Sequence, residues 1–116
     1  KVKDRASARQ AADKLLAQGV KAVAIQAGDE GNLLVWGEGE SWLPKIPVKS
    51  VDATGAGDAF MAALAVALAE GQSWEEAGHF ANAAAALKTT KMGAQEGLPT
   101  RQAVLDLVAA VKRNQL

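Results

Sequence analysis

The stretch that decides the fold reads Asp52-Ala53-Thr54-Gly55-Ala56-Gly57-Asp58, and it runs without a break into the apolar, alanine-rich residues 59–70. A helix is expected to begin near Gly57 or Asp58. Its first N–H groups have no partner within the helix, and the helix dipole adds partial positive charge at the same end. The sequence therefore predicts an anion site suited to a phosphate, with Asp58 either as the N-cap or as a base beside the phosphate.

Composition limits the classes of protein to consider. The chain has 116 residues, enough for one small domain, and its 13 basic residues balance 13 acidic ones. This balance gives no electrostatic reason to expect nucleic acid or an anionic membrane as a partner. The absence of cysteine excludes disulfides and thiolate metal sites, and it favours a cytoplasmic protein. The longest apolar run, residues 59–69, is too short to span a bilayer.

Periodicity and turn residues divide the first half into a helix and three extended segments. Residues 4–18 have helical spacing of apolar residues, and Gly19 is expected just after the end of the helix. Residues 22–27 are apolar on both faces and predict a buried parallel strand. Residues 32–36 predict a strand that returns as a hairpin. Residues 41–48 contain two prolines and predict an edge strand.

The second half is predicted to be helical. Ser73 and Glu76 have the spacing of a capping box, which predicts a helix over residues 74–88. Thr100 is expected to cap a last helix over residues 101–114. The apolar stripe of that helix is Val104, Leu105, Leu107, Val108 and Val111. Helices that alternate with strands indicate a single α/β domain.

The glycine-rich stretch, extended to Phe60, resembles the C-terminal signature of the PfkB, or ribokinase-like, carbohydrate kinases. Residues 26–31 resemble the family's Thr-x-Gly-x-x-Gly nucleotide segment, although Gln26 stands where the family usually has Thr or Ser. Residues 80–86 and 91–95 look most like the ribokinase branch. The resemblance implies that residues 1–116 are the C-terminal, nucleotide-binding and catalytic part of a ribokinase-like doubly wound α/β layer. The sugar half and the lid would be missing, so we expect a fragment of a longer protein.

The resemblance implies roles for the residues of the glycine-rich turn. Asp58 would be the general base that takes the proton from a sugar hydroxyl as its oxygen attacks the γ-phosphorus of ATP. The anion hole would be formed by the backbone N–H groups of Gly55, Ala56 and Gly57. The non-catalytic alternative, in which Asp58 only caps the helix and the turn is an ordinary connection, stays open.

A second set of residues is implied to contact ATP. The phosphates and ribose would lie against Gly28, Asp29, Glu30 and Gly31, and Asn82 would border the adenine. The respective alternatives are a plain β-hairpin turn and a hydrogen-bonded polar residue of the core. His79, the only histidine, and the three tryptophans are interpreted as packing or surface residues.

The resemblance also implies two metal ions. Many ribokinases bind K⁺ beside the anion hole, mainly through backbone carbonyls, and the corresponding residues here are Asp52, Thr54, Lys88, Lys91, Gly93 and Gly97. Gly97 lacks the Ser hydroxyl that some relatives have at this place. A loop without an ion, with Asp52 merely hydrogen-bonded, is the alternative. Mg²⁺ would arrive with ATP rather than in a dedicated protein site.

The function implied by the family is ATP-dependent phosphorylation of a sugar hydroxyl, with ribose as the first candidate. Fructose, 2-keto-3-deoxygluconate and nucleosides stay open as acceptors, because the discriminating residues lie in the missing half. The fragment alone is expected to be inactive, and any oligomer would form through the missing N-terminal part. The rival interpretation from another class is a non-catalytic nucleotide-binding module. A structural remnant that binds nothing is a third interpretation with a weaker basis, because the whole motif is present.

Overall fold

The computed structural model describes residues 4–27, 30–37, 39–49, 55–90 and 100–112. The chain divides into two compact units, Lys1–Lys45 and Ile46–Leu116. Several predicted site residues lie outside the described residues: Gly28, Asp29, Asp52, Thr54, Lys91, Gly93 and Gly97.

The first unit begins with helix α1, Arg5–Leu16. Asp4 and Ser7 form a reciprocal capping box at its start, in which the Asp4 carboxylate accepts from the Ser7 backbone N–H at 2.8 Å. The helix therefore starts one residue later and ends two residues earlier than the predicted range of residues 4–18. Gly19 follows with a φ of +99°, a conformation that glycine adopts without steric cost.

A three-stranded antiparallel sheet follows, formed by β1 (Ala22–Gln26), β2 (Gly31–Trp36) and β3 (Gly39–Pro44) in the order β1-β2-β3. The prediction of a buried parallel strand over residues 22–27 was wrong. Strand β1 pairs antiparallel with β2, and its residues range from half-buried to exposed. The short turn before β2 forces this antiparallel return. The predicted hairpin is confirmed by this antiparallel pairing of β1 with β2, and the predicted edge position of the third strand is confirmed by its place at the end of the sheet.

One face of this sheet packs against α1. Alternation along the strands puts Leu33 and Val35 on the same face, and both are buried together with Ala8 and Ala12 of the helix. The two helix alanines are 0% exposed, so their small side chains allow the helix to approach the sheet closely.

The second unit contains an antiparallel helix pair. Helix α2 spans Ala56–Ala69 and helix α3 spans Trp74–Lys88. Gly71, with a φ of +91°, ends α2 in a Schellman motif, because its N–H bonds to the Leu68 carbonyl and the Gln72 N–H bonds to the Ala67 carbonyl. The Ser73 half of the capping box predicted for α3 is present, with the Ser73 hydroxyl oxygen accepting from the Glu76 N–H at 3.1 Å.

Helix α4, Arg101–Lys112, packs on α3. Its predicted cap is confirmed, because the Thr100 hydroxyl oxygen accepts from the Ala103 N–H at 3.1 Å. Val104 is buried as the apolar stripe predicted, whereas Leu105 is 40% exposed. The stripe is wider than the contact surface that α3 offers. No helix among the described residues is long and apolar enough to cross a membrane.

Candidate active site

The glycine-rich turn leads into α2 with its backbone donors uncapped by a side chain. Gly55 is the N-cap residue and adopts a left-handed conformation with a φ of +80°. As glycine, it brings no side-chain acceptor to the first turn, and no side-chain cap bond is present. Gly57 has open space around the position of a Cβ, as far as the described residues extend. The turn therefore offers N–H groups and room for an anion at the positive end of the helix.

Asp58 lies in the first turn of α2, at the third helical position, and it is exposed. The interpretation of Asp58 as the N-cap was wrong, because that position belongs to Gly55. Within the described ranges, no side-chain hydrogen bond or ion pair engages its carboxylate. The carboxylate is thus accessible to a proton donor beside the uncapped turn.

The predicted ATP-phosphate turn is described only at Glu30 and Gly31. The Ala27 N–H donates to the Gly31 carbonyl at 2.9 Å, and the Lys45 N–H donates to the Glu30 carbonyl at 3.2 Å. Gly31 has a φ of +143°, and a Cβ there would lie 2.4 Å from the Leu43 carbonyl oxygen. Packing of β3 against β2 therefore requires glycine at position 31 regardless of any nucleotide.

Two polar residues of α3 are buried in the second unit. Asn82 is 8% exposed and Lys88 is 0% exposed, and both make polar interactions in the structure. No buried side-chain nitrogen or oxygen of the described residues lacks a hydrogen-bond partner. This is the pattern of a satisfied polar core residue, which was the alternative for Asn82, and contact with adenine stays a prediction.

The burial of the Lys88 side chain was not predicted from the sequence. The resemblance implied a role only for the Lys88 backbone carbonyl, as a ligand of K⁺. The signal was nevertheless present in the spacing. Ala77, Ala81 and Ala84 are buried at helical intervals, and Lys88 follows four residues later on the same stripe. A cation on the buried stripe of an alanine-rich helix costs free energy, because the charged group loses its contact with water.

A groove of about 250 Å³ lies between α3 and α4 and is lined by Gln72, Glu76, His79, Phe80, Leu105 and Val108. His79 is partly buried there, which agrees with its interpretation as a packing residue. Arg101 lies 5.9 Å from the centre of the Phe80 ring and forms an ion pair with Glu70. The hydrogen bond from Arg101 lowers the pKa of the Glu70 carboxyl. These contacts hold α4 on the second unit.

No group of three or more metal-binding side chains occurs in the described part of the chain.

Residues 1–101 match the family described as "pfkB family carbohydrate kinase". The chain belongs to this family. The predicted resemblance is thereby confirmed, and members of the pfkB family are transferases.

Three relatives illustrate the match. Ribokinase of Bacillus subtilis is 49% identical over 85 residues, which are 73% of this chain and 29% of that protein. Arabidopsis thaliana ribokinase complexed with ribose and ATP has a TM-score of 0.78 at 44% identity, covering 86% of this chain and 33% of that one. Phosphofructokinase-2 of Escherichia coli in complex with potassium has a TM-score of 0.81 at 30% identity, covering 97% and 36%.

These matches confirm the predicted fold class, an α/β portion of the ribokinase fold. They also show that the chain spans about a third of the length of the relatives it matches. The ribokinases and related kinases of this family phosphorylate sugars and related compounds.

Proposed function

We propose that this chain is the nucleotide-binding and catalytic part of a kinase that transfers the γ-phosphoryl group of ATP to a sugar hydroxyl, with ribose as the first candidate acceptor. The observation that supports this most directly is the first turn of α2. It combines a left-handed Gly55 N-cap, no capping side chain and an exposed Asp58 carboxylate. The ribokinase relatives supply the sugar class, and the Arabidopsis enzyme is described with ribose and ATP.

In the proposed reaction, the sugar hydroxyl oxygen attacks the γ-phosphorus of ATP. A bond forms between this oxygen and phosphorus while the bond from phosphorus to the β–γ bridging oxygen breaks, which leaves ADP. Asp58 accepts the hydroxyl proton, because a carboxylate can act as a general base. The N–H groups of Gly55, Ala56 and Gly57 stabilise the charge on the transferring oxygens, as phosphoryl transfer requires.

The remaining predicted contacts are part of the proposal. Glu30 and Gly31, with Gly28 and Asp29, would contact the ATP phosphates and ribose, and Asn82 would border the adenine. Mg²⁺ bound to ATP would neutralise phosphate charge.

A monovalent cation would be held mainly by backbone carbonyls of the residues predicted for K⁺. The described one, Lys88, ends α3, where helix carbonyls carry partial negative charge that suits a cation. The K⁺ complex of Escherichia coli phosphofructokinase-2 supports this assignment by similarity.

A second candidate function is a nucleotide-binding module without catalysis of its own. The observation in its favour is the uncapped first turn of α2, whose backbone N–H groups can bind an anion whether or not a proton is transferred. ATP binding without ADP formation in the presence of sugars would favour the module. Absence of both binding and turnover would favour a structural remnant.

Calorimetric titration of the folded chain with Mg-ATP, in K⁺ buffer and in a buffer with a large organic cation instead, tests the proposal. We expect binding that strengthens with K⁺. Gly57→Val should abolish the binding, because its side chain would occupy the open space beside the turn. Ala62→Val, at an exposed position of the same helix, is the matched control and should bind normally.

Circular dichroism of both variants separates loss of binding from loss of folding. A folded wild-type chain that does not bind Mg-ATP would contradict the proposal. A panel of ribose, fructose, 2-keto-3-deoxygluconate and nucleosides, tested on the complete kinase that carries this segment, then identifies the acceptor.

A further inference from the structure

Lys88 is the largest fully buried side chain among the described residues, and it is the only one of the five largest that carries a charge. It occupies the last turn of α3. A charged group is buried completely only where interactions compensate for the water that it loses. Lys88 does make a polar interaction in the structure.

The α2–α3 hairpin determines where this charge lies. Only four residues, from the C-cap Glu70 to the N-cap Ser73, connect the two helices, which pack against each other. A connection this short makes the helices antiparallel. They contain 14 and 15 residues, and both are therefore about 21–23 Å long. Because the lengths match, the end of α3 lies beside the beginning of α2.

Counting residues outward from the connection gives a register for the two helices, and the buried residues of each helix fit it. On α2 the buried residues include Phe60, Leu64 and Ala67, and on α3 they include Phe80 and Ala84. Counting outward from the connection, Ala67 lies level with Ala77, Leu64 with Phe80 and Phe60 with Ala84. The next level places Lys88 beside the first turn of α2.

We propose that Lys88 is a positioning residue whose buried ammonium group raises the affinity of the first turn of α2 for the phosphates of the nucleotide. This inference rests on the proposed function, in which backbone N–H groups of the turn bind the phosphates. Lys88 would add a full positive charge that these N–H groups do not supply. Packed helices have axes about 8–10 Å apart, and buried charges are weakly screened by salt. At a separation of about 10 Å and an effective dielectric constant of about 20, one positive charge strengthens binding of one negative charge by at least about tenfold.

The test compares ATP with adenosine, measured by calorimetry on the wild-type chain, Lys88→Met and Lys88→Arg. We expect Lys88→Met to weaken ATP binding about tenfold while adenosine binding stays within twofold. Lys88→Arg retains the charge and should retain the ATP affinity. Lys14→Met removes an exposed lysine from the last turn of α1 and is the matched control for loss of net charge.

Lys88→Gln keeps a hydrogen-bond donor for the interaction of Lys88 and removes only the charge, so it replaces Lys88→Met if that variant does not fold. Equal losses for ATP and adenosine, or unchanged ATP affinity in the neutral variant, would overturn the inference. The ratio of the two affinities distinguishes a charge effect from a structural role. Failure of the proposed function is recognised separately, because the wild-type chain itself would then not bind ATP.

Discussion

At the scale of single residues, the first turn of α2 has its N-cap and its carboxylate on different residues, Gly55 and Asp58. A helix that begins with Asp, Asn, Ser or Thr uses that side chain to satisfy its own first N–H groups. Here the N-cap is glycine and the carboxylate is three positions further on. The donors and the carboxylate are therefore both available to a ligand, and this arrangement supports a catalytic interpretation over a structural one.

Asp58→Asn is expected to reduce phosphorylation by the complete kinase by at least 100-fold, because an amide cannot accept the hydroxyl proton. The fold should be retained, since Asp58 is exposed and is not the N-cap. The rate of ADP formation with ribose measures the effect. Glu75→Gln, which changes another exposed acid in the first turn of a helix, should keep normal turnover. Near-normal turnover of Asp58→Asn would remove Asp58 from its role.

At the scale of elements, the β2–β3 pair constrains a residue that the resemblance assigned to ATP. Gly31→Ala is expected to destabilise the chain by about 2 kcal/mol or more, because its Cβ would lie 2.4 Å from the Leu43 carbonyl oxygen and its φ is +143°. Urea unfolding followed by circular dichroism measures the change.

Gly37→Ala is the matched control for Gly31→Ala, since a Cβ at Gly37 meets no described atom within 4 Å. Its free energy of unfolding should stay within about 0.5 kcal/mol of the wild type. A Gly31→Ala chain as stable as wild type would mean that β3 moves away from β2 at little cost.

The contact between α1 and β3 contains the clearest pH-sensitive group of the first unit. The hydrogen bond from Arg5 lowers the pKa of the Glu40 carboxyl from its ordinary value of 4.5, although partial burial opposes this, and Arg9 lowers it further. The Arg5 and Arg9 nitrogens lie 2.9 and 2.6 Å from the Glu40 carboxylate oxygens. Such exposed pairs contribute up to about 1 kcal/mol.

Because the folded-state pKa of Glu40 is depressed, its stabilising contribution is present above about pH 4.5 and is lost as the pH falls through the folded-state value. Glu40→Gln should therefore lower the free energy of unfolding at pH 7 by up to about 1 kcal/mol, and the difference should shrink at pH 3. Urea unfolding at both pH values measures it. In an Arg5→Met/Arg9→Met background, Glu40→Gln should have no effect. A pH-independent difference would exclude the ion pairs as its cause.

At the scale of the whole molecule, the proposed cation site is distributed along the chain, from Asp52 to Gly97. Replacing K⁺ with a large organic cation is expected to reduce turnover of the complete kinase several-fold, because backbone carbonyls that would hold K⁺ cannot coordinate such an ion. Initial rates at constant ionic strength measure the effect, and Na⁺ provides a comparison of ion size. Equal rates in all three salts would favour the loop without an ion.

The sequence by itself determined the features that depend on neighbouring residues: the capped start of α3, the hairpin and the glycine-rich motif that identified the family. Caps, turns and sequence signatures involve residues only a few positions apart, so they can be recognised directly in the sequence. Only the tertiary structure decided the partial exposure of β1, the exposure of Leu105, the steric need for Gly31 and the burial of Lys88. Each of these depends on a segment distant in sequence, because pairing and burial are determined by what packs against a residue rather than by its own propensity.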